Sequence, residues 1–565
     1  MATNSNNDLR IPLRLGLVAG GVSLGLSAIG MVELFGQREL VANVLTLGQV
    51  ILLAAPLLLG YLSADRAEES GVGSGVLYGL TTGITASLPL ALLVVAATNL
   101  DLRQFLPNVS PALVDLLTFG QGTLVGVLIL IGLFGVVGLV AAIAGKLPEH
   151  IRSPIFNGLI WTLTLGLFSE ILSNRLRAFF GSGINRLLFD GEALNPFAAL
   201  ILFIIITGVA ALWGRRKENV QQRVEGLSPS QQRNLRLASI AAGVIGLLIL
   251  PLILGTYLSE VINNVGIFVL MGLGLNIVVG FAGLLDLGYV AFFAIGAYSM
   301  AVFTSEGALG ISNMTFWTAL PICVAIAAFF GVMLGLPVLR MRGDYLAIVT
   351  LGFGEIIRIL AQSDMLKPVI GGAQGILQIS KPPFFGMKLV QPEQLYYVIL
   401  AGCLLAWFVS WRLSESRLGR QWMAMREDED VAEAMGITLV STKLLAFGIG
   451  AAFSGLSGAI FASKLTSIFP HSFNLLISIN VLSLIIVGGM GSLPGVVVGA
   501  LILVGLPELL REFAEYRLLM YGALLIVMML LKPEGFWPSA VRRRELHSDE
   551  DNYLEEDVLV SGAGD

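Results

Sequence analysis

The chain reads as an all-α, polytopic bundle of transmembrane helices, and three observations lead there. Of its 565 residues, 56% are hydrophobic and only 13% charged, about half the charged share of a soluble domain. Apolar runs of 18 residues or more, long enough to cross a hydrocarbon core, recur from Leu15 to Leu531. The 66 glycines suit helices packed backbone to backbone, because association within lipid depends on close contact between small residues.

About sixteen spans are expected. Six fall in a first block, 1–214, near 15–35, 40–62, 74–97, 118–145, 154–174 and 196–213. About ten fall in a second block, 238–538, near 238–258, 262–281, 285–304, 316–339, 345–362, 395–411, 444–464, 475–491, 494–510 and 517–531. Between the blocks, 215–237 sets Arg215, Arg216, Lys217, Arg223, Arg233 and Arg236 against Glu218 and Glu225, is rich in Gln and is broken by Pro229. It reads as a basic cytoplasmic linker and a domain boundary.

Even parity in the first block agrees with that side. In the second block Arg340, Arg342, a polar island at 412–443 and Arg542 to Arg544 fall inside, and the acidic stretch Glu508 to Arg517 falls outside. Both termini are therefore expected in the cytoplasm. The apolar run after Arg10 and Arg14 is too long for a signal-peptide core, so the first span is read as uncleaved. The acidic, aperiodic tail at 539–565 is expected to be disordered.

Catalysis by this chain is not expected. The only Gly-Lys pair, Gly145-Lys146, precedes Leu147 and has Val140 where a phosphate loop needs its first glycine. There is no zinc pattern and no nucleophile elbow. Cys323 and Cys403 sit in apolar segments as packing residues, and His150, His471 and His547 lack ligand spacing. No metal, cofactor or nucleic-acid partner is expected, and any ATP hydrolysis belongs to another chain.

The island from Arg412 to Lys443 separates two long apolar runs and is longer than a helix connection needs to be. Glu427, Asp428, Glu429 and Asp430 crowd the start of a short helical pattern, where carboxylates meet the positive end of a helix dipole. Gly436 can take the left-handed conformation that ends it, and Val431 and Met435, four apart, share one apolar edge. The stretch fits a docking piece or a solvated loop whose charges set topology, and its residues leave both open.

Three glycine-rich breaks interrupt the second block: Gly280 to Tyr298, with Asp286 between Gly283 and Gly288; Gly371-Gly372-Ala373-Gln374-Gly375; and Gly488-Gly489-Met490-Gly491-Ser492-Leu493-Pro494-Gly495. Discontinuous helices expose backbone groups that can hold a zwitterion. Glycine also serves packing and turns, and each break taken singly reads first that way. Asp286 fits an N-cap equally well.

In a helix starting at Asp344, Glu355 lies roughly 16 Å along the axis, near mid-bilayer, and Arg358 three residues on can pair with it. Charges at such depth face a bundle interior or a wet path. The pair either lines a route or neutralises itself structurally, and the structural reading comes first. Glu170 poses the same question.

The runs GFAGLLDLGYVAFFAIGAYSM, RMRGDYLAIVTLGFGEIIRIL, GRQWMAMREDEDVAEAMGI and VGGMGSLPGVVVGAL, in this order, closely resemble the LivM-type membrane permease of branched-chain amino-acid ABC importers. The resemblance covers 238–538. It implies one of two related permease subunits in a heteromeric importer of the bacterial-type plasma (inner) membrane, beside two cytoplasmic ATPases, which hold the ATP and Mg, and an external substrate-binding protein. It makes the island an ATPase-coupling element with Gly419, Arg420, Glu427, Asp428, Glu429, Ala432 and Gly436. It places the breaks in a translocation core, where the candidates are Gly283, Asp286, Gly288, Tyr289, Glu355, Arg358, Gly371, Gly372, Gly375, Gly488, Gly489 and Gly491.

The block 1–214 stands outside that resemblance and has no role the residues identify. The alternatives are an ion-coupled secondary transporter with Glu355 or Asp286 as coupling carboxylate, an ABC permease for urea or amides, and a membrane scaffold or receptor.

Overall fold

The computed structural model describes residues 10–65, 72–225, 228–311, 314–339, 341, 343–384, 386–509 and 516–538. The chain divides into two compact units, 1–239 and 240–565.

In the first unit the elements are α1 (Arg10–Ala28), α2 (Met31–Gly36), β1 (Glu39–Val41), β2 (Leu45–Thr46), α3 (Leu47–Asp65), α4 (Val72–Asn99), α5 (Pro111–Leu117), α6 (Thr123–Lys146), α7 (Glu149–Leu167), α8 (Ser169–Leu188), β3 (Phe189–Asp190), β4 (Ala193–Leu194) and α9 (Pro196–Glu225). α1, α3, α4 and α6 pack together around Leu90, Val94, Leu113, Leu130 and Phe134. Glycine allows α4 and α6 to touch by backbone: a Cβ on Gly138 would lie 2.2 Å from the carbonyl oxygen of Gly79.

Short strands, which the all-α reading did not foresee, form one sheet in the order β2-β1-β4-β3, with Val41 opposite Leu194. α7 and α8 meet at an elbow of 74°. Arg38 reaches into it, pairing with Glu170 at 2.9 Å and donating to the carbonyl of Leu167. Glu170 is thus a half-buried, paired carboxylate.

The second unit is entered along α10 (Pro229–Leu275), which is interrupted at Gly255 (φ 66°) and runs into a π-helical turn at Asn276–Phe281. Then follow α11 (Val290–Thr304), α12 (Phe316–Val338), α13 (Asp344–Gln362), α14 (Lys367–Ile370), β5 (Pro383–Phe384), β6 (Met387–Lys388), α15 (Pro392–Ser414), α16 (Arg417–Glu427), α17 (Glu429–Ala434), α18 (Leu439–Leu465), α19 (Leu475–Gly488), α20 (Leu493–Ala500), α21 (Leu506–Leu509) and α22 (Arg517–Leu531). α18 is the axis of this unit, with 72% of its apolar window buried and α11 and α12 packed along it. A Cβ on Gly458 would sit 2.0 Å from the carbonyl oxygen of Phe293, so the α11–α18 crossing depends on glycine.

Among the described residues, ten helices are long and apolar enough to cross a membrane, or twelve if each of two bent pairs counts as one span. The difference from about sixteen has physical sources. The expected spans 238–258 and 262–281 lie on one helical run broken at Gly255, those near 285–304 and 494–510 lie on shorter apolar helices, Val290–Thr304 and Leu493–Leu509, and that near 517–531 is the 15-residue α22.

Cys323 and Cys403 are free thiols, the first fully buried and the second partly. The charges read for orientation at Arg340, Arg342 and Arg542 to Arg544, and the tail 539–565, lie outside the described residues. So do part of 508–517 and the side chains of Arg215, Arg216, Lys217, Arg223 and Arg236.

Candidate functional site at the island and the glycine breaks

The island folds as two helices. Ser416 starts α16, its Oγ accepting from the amide of Gly419 at 3.2 Å. Gly419 is buried against the carbonyls of Leu413 and Ser414, where no Cβ fits. Arg420 is exposed and donates to the carbonyl of Glu415. Trp422, fully buried, donates from Nε1 to the carbonyl of Thr442 at 2.8 Å and so pins α16 to the first turn of α18.

Asp428 caps α17, accepting from the amides of Asp430 (2.8 Å) and Val431 (3.0 Å). Gly436 ends that helix at φ 88°, with the amide of Ile437 on the carbonyl of Ala432 and that of Gly436 on the carbonyl of Glu433, a Schellman closure. Both ends therefore form as the sequence predicts.

The carboxylates part company. Glu427 is exposed and bonded to Arg426 at 2.8 Å. Glu429 turns inward onto Lys443, at 2.8 Å, with side-chain exposures of 17% and 3%. Ala432 is the buried residue of α17. Outward, α17 and its C-cap expose the apolar Val431 (59%) and Met435 (81%) beside the carboxylates of Asp430 and Glu433.

The first and third glycine breaks meet at this same end. The Oδ1 of Asn276, in the π turn, accepts from the amide of Gly491 at 2.9 Å. Gly283 (φ 71°) lies under the side chain of Arg426, whose Nη1 donates to the carbonyl of Gly280 at 2.9 Å. Gly488 faces Gly495, where a Cβ would come 1.9 Å from its carbonyl oxygen, and Gly489 is at φ 119°. The amides of Phe536 and Trp537 donate to the carbonyls of Val487 and Gly488, each at 2.9 Å, so the chain after α22 satisfies the last carbonyls of α19.

Asp286 is fully buried, and its Oδ1 accepts from the amide of Gly288 at 2.9 Å. That bond reaches only two residues along and makes a local turn, so Asp286 does not cap α11; the amide of Val290 donates instead to the Oγ of Ser478 at 2.9 Å. Gly288 lies against α13, where a Cβ would meet the carbonyl oxygen of Thr350 at 1.8 Å. Tyr289, fully buried, donates to the carbonyl of Gly450 at 2.7 Å.

The second break stands apart, at the opposite end of the bundle. Gly371, Gly372 and Gly375 all have positive φ and belong to a loop that bridges Ile376 to Ile468. Glu355 and Arg358 form a bidentate pair on α13, with Nε to Oε2 at 2.9 Å and Nη2 on Oε1. Sequence reasoning missed Arg426, Asn276 and Lys443. Only Lys443, a lone cation at the start of an apolar run, left a signal there to follow.

Residues 257–530 match the family described as "Branched-chain amino acid transport system / permease component". The LivM permease protein of Escherichia coli is 41% identical over 419 residues, covering 69% of this chain and 95% of the relative. The chain belongs to the LivM-type permease family. The LivM protein of Salmonella typhimurium is 35% identical, over 71% of this chain and 98% of its own. The Escherichia coli permease LivH is 24% identical, over 49% of this chain and 94% of its own. No solved structure matches.

The coverage corrects one expectation. Residues 238–565 are fewer than three-fifths of the chain, so the match to the two LivM proteins extends into the block 1–214, which is not wholly foreign to the family.

Proposed function

We propose that this LivM-type permease is one membrane subunit of an importer for branched-chain or related neutral amino acids, driven by ATP hydrolysis on separate chains. The observation that carries this is the exposed apolar pair Val431 and Met435 on α17 and its C-cap, with α17 tied to the span α18 by Glu429–Lys443 and the preceding α16 tied to it by Trp422. A small apolar edge on a rigid support is what a partner's groove takes.

In this reading Arg420, Glu427 and the edge of α17 contact the ATPase, while Gly419, Asp428, Glu429, Ala432 and Gly436 hold α17 in shape. The breaks at Gly283–Tyr289 and Gly488–Gly491, with Glu355 and Arg358, belong to the translocation path, and Gly371, Gly372 and Gly375 to its far mouth. The ATPase shifts the balance between inward-open and outward-open states by differential contact at the island. ATP and Mg stay on two cytoplasmic subunits. A second, related permease is supported by the likeness to LivH, and an external binding protein delivers the substrate. Both termini lie in the cytoplasm of a bacterial-type cell. Of the two carboxylates the ion-coupled alternative could use, Glu355 has both oxygens held by Arg358, and Asp286, fully buried with Oδ1 on the amide of Gly288, is the one left to it.

Co-purification tests the reading. Nucleotide-binding subunits should accompany the wild-type chain and be lost from Val431→Asp/Met435→Asp, and leucine but not urea should stimulate ATP turnover. A chain that purifies with no nucleotide-binding subunit overturns the reading, and stimulation by urea alone overturns the substrate assignment.

A further inference from the structure

A cavity of about 190 Å³ opens beside the deep ion pair, lined by Val290, Leu351, Gly354, Glu355, Phe473 and Leu475. Its walls are apolar apart from one carboxylate. Glu355 stands 11 residues after the start of α13, roughly 16 Å along the axis and so near the middle of a bilayer. The side chains of Glu355 and Arg358 are 44% and 29% exposed. At that depth a half-exposed ion pair cannot face hydrocarbon cheaply, so this face of α13 borders a wet path or a second protein.

From these facts we infer that Glu355 and Arg358 form a zwitterion subsite, in which the pair bonds to itself when empty and opens to hold an α-amino acid. This rests on the functional reading above and specifies its binding chemistry. The Glu355 carboxylate takes the ammonium and the Arg358 guanidinium, a planar fork, takes the carboxylate. The substrate's aliphatic side chain enters the cavity against Val290, Leu351, Phe473 and Leu475.

The exchange is balanced. One charge-assisted pair is replaced by two of the same kind, and the site is neutral both empty and loaded, so no net charge is carried through the bilayer core with the substrate. The cavity is smaller than the roughly 300 Å³ at which pockets for drug-sized ligands begin. It therefore selects a free amino acid over a peptide, and the apolar wall favours an aliphatic side chain over a polar one.

The test uses the complete complex with its ATPases and binding protein in proteoliposomes, with leucine and alanine as probes. Glu355→Gln and Arg358→Gln should each reduce leucine uptake about tenfold or more, the worth of one hydrogen bond to a charged group. The double variant Glu355→Gln/Arg358→Gln, which removes both charges, should stay equally impaired. Leu351→Phe, which fills the cavity, should shift the uptake ratio from leucine toward alanine.

Recovery of leucine uptake in the double variant, or an unchanged leucine-to-alanine ratio in Leu351→Phe, overturns the inference, because a purely structural pair behaves in that way. A wild-type complex that moves no neutral amino acid overturns the functional reading itself, before any variant is made.

Discussion

Arg426 donates through Nη1 to the carbonyl of Gly280, 146 positions earlier in the chain, at 2.9 Å. The same guanidinium is bonded to Glu427, so one side chain joins the solvent face of the island to the first glycine break. Arg426→Ala should therefore disconnect the two. Losing a hydrogen bond from a charged donor costs about 1.5–3 kcal/mol, enough to shift a two-state balance roughly tenfold to a hundredfold. Leucine moved per ATP hydrolysed should fall by about that factor, and Arg426→Lys should restore part of it.

Lys443 and Glu429 should be needed for the island to fold onto α18. Removing one partner of a buried pair costs about 3–5 kcal/mol, because the other charge is left stranded. Lys443→Met should lower the thermal unfolding temperature clearly in detergent, and Lys443→Met/Glu429→Gln should recover most of the loss.

Gly288→Ala should be poorly tolerated. The new Cβ would lie 1.8 Å from the carbonyl oxygen of Thr350, and backbone cannot rotate aside as a side chain can. A destabilisation of about 1–3 kcal/mol is expected from such overpacking. Gly25→Ala, inside α1 where nothing lies within 4 Å, should not destabilise and is favoured by helix propensity by up to about 1 kcal/mol. Thermal unfolding of the two variants side by side makes the comparison.

The hairpin β5–β6 should loosen in acid. Lys388 donates to Glu306 at 2.6 Å, and that hydrogen bond and charge hold the Glu306 carboxyl below the usual carboxylate range. A lowered folded-state value means that the tie is present above the ordinary range and is lost as pH falls through the lowered one. Amide exchange at Met387 and Lys388 should accelerate only below the ordinary range. The effect should weaken with salt, since both side chains are exposed, and should vanish in Lys388→Met.

Much of this was legible in the sequence because it is local. The apolar runs announce the bundle, Asp428 and Gly436 announce the ends of α17, and Glu355 finds Arg358 because three residues is almost one helical turn. Asn276 and Gly491 were not legible as partners, since 215 positions separate them and neither residue type advertises the other. Nor does composition reveal that Glu429 turns inward while Glu427 beside it stays out, which helix register and Lys443 decide. The strands β1 and β4 escaped notice because two or three residues carry no alternation to read.

The backbone bonds from Phe536 and Trp537 to Val487 and Gly488 have a practical side. A fluorophore or fusion joined just beyond Pro538 hangs directly from the third break and is not tethered by a slack leash. Its signal would report how that break moves, and shortening the chain to end before Gly535 would strip the last two carbonyls of α19 of their amide donors.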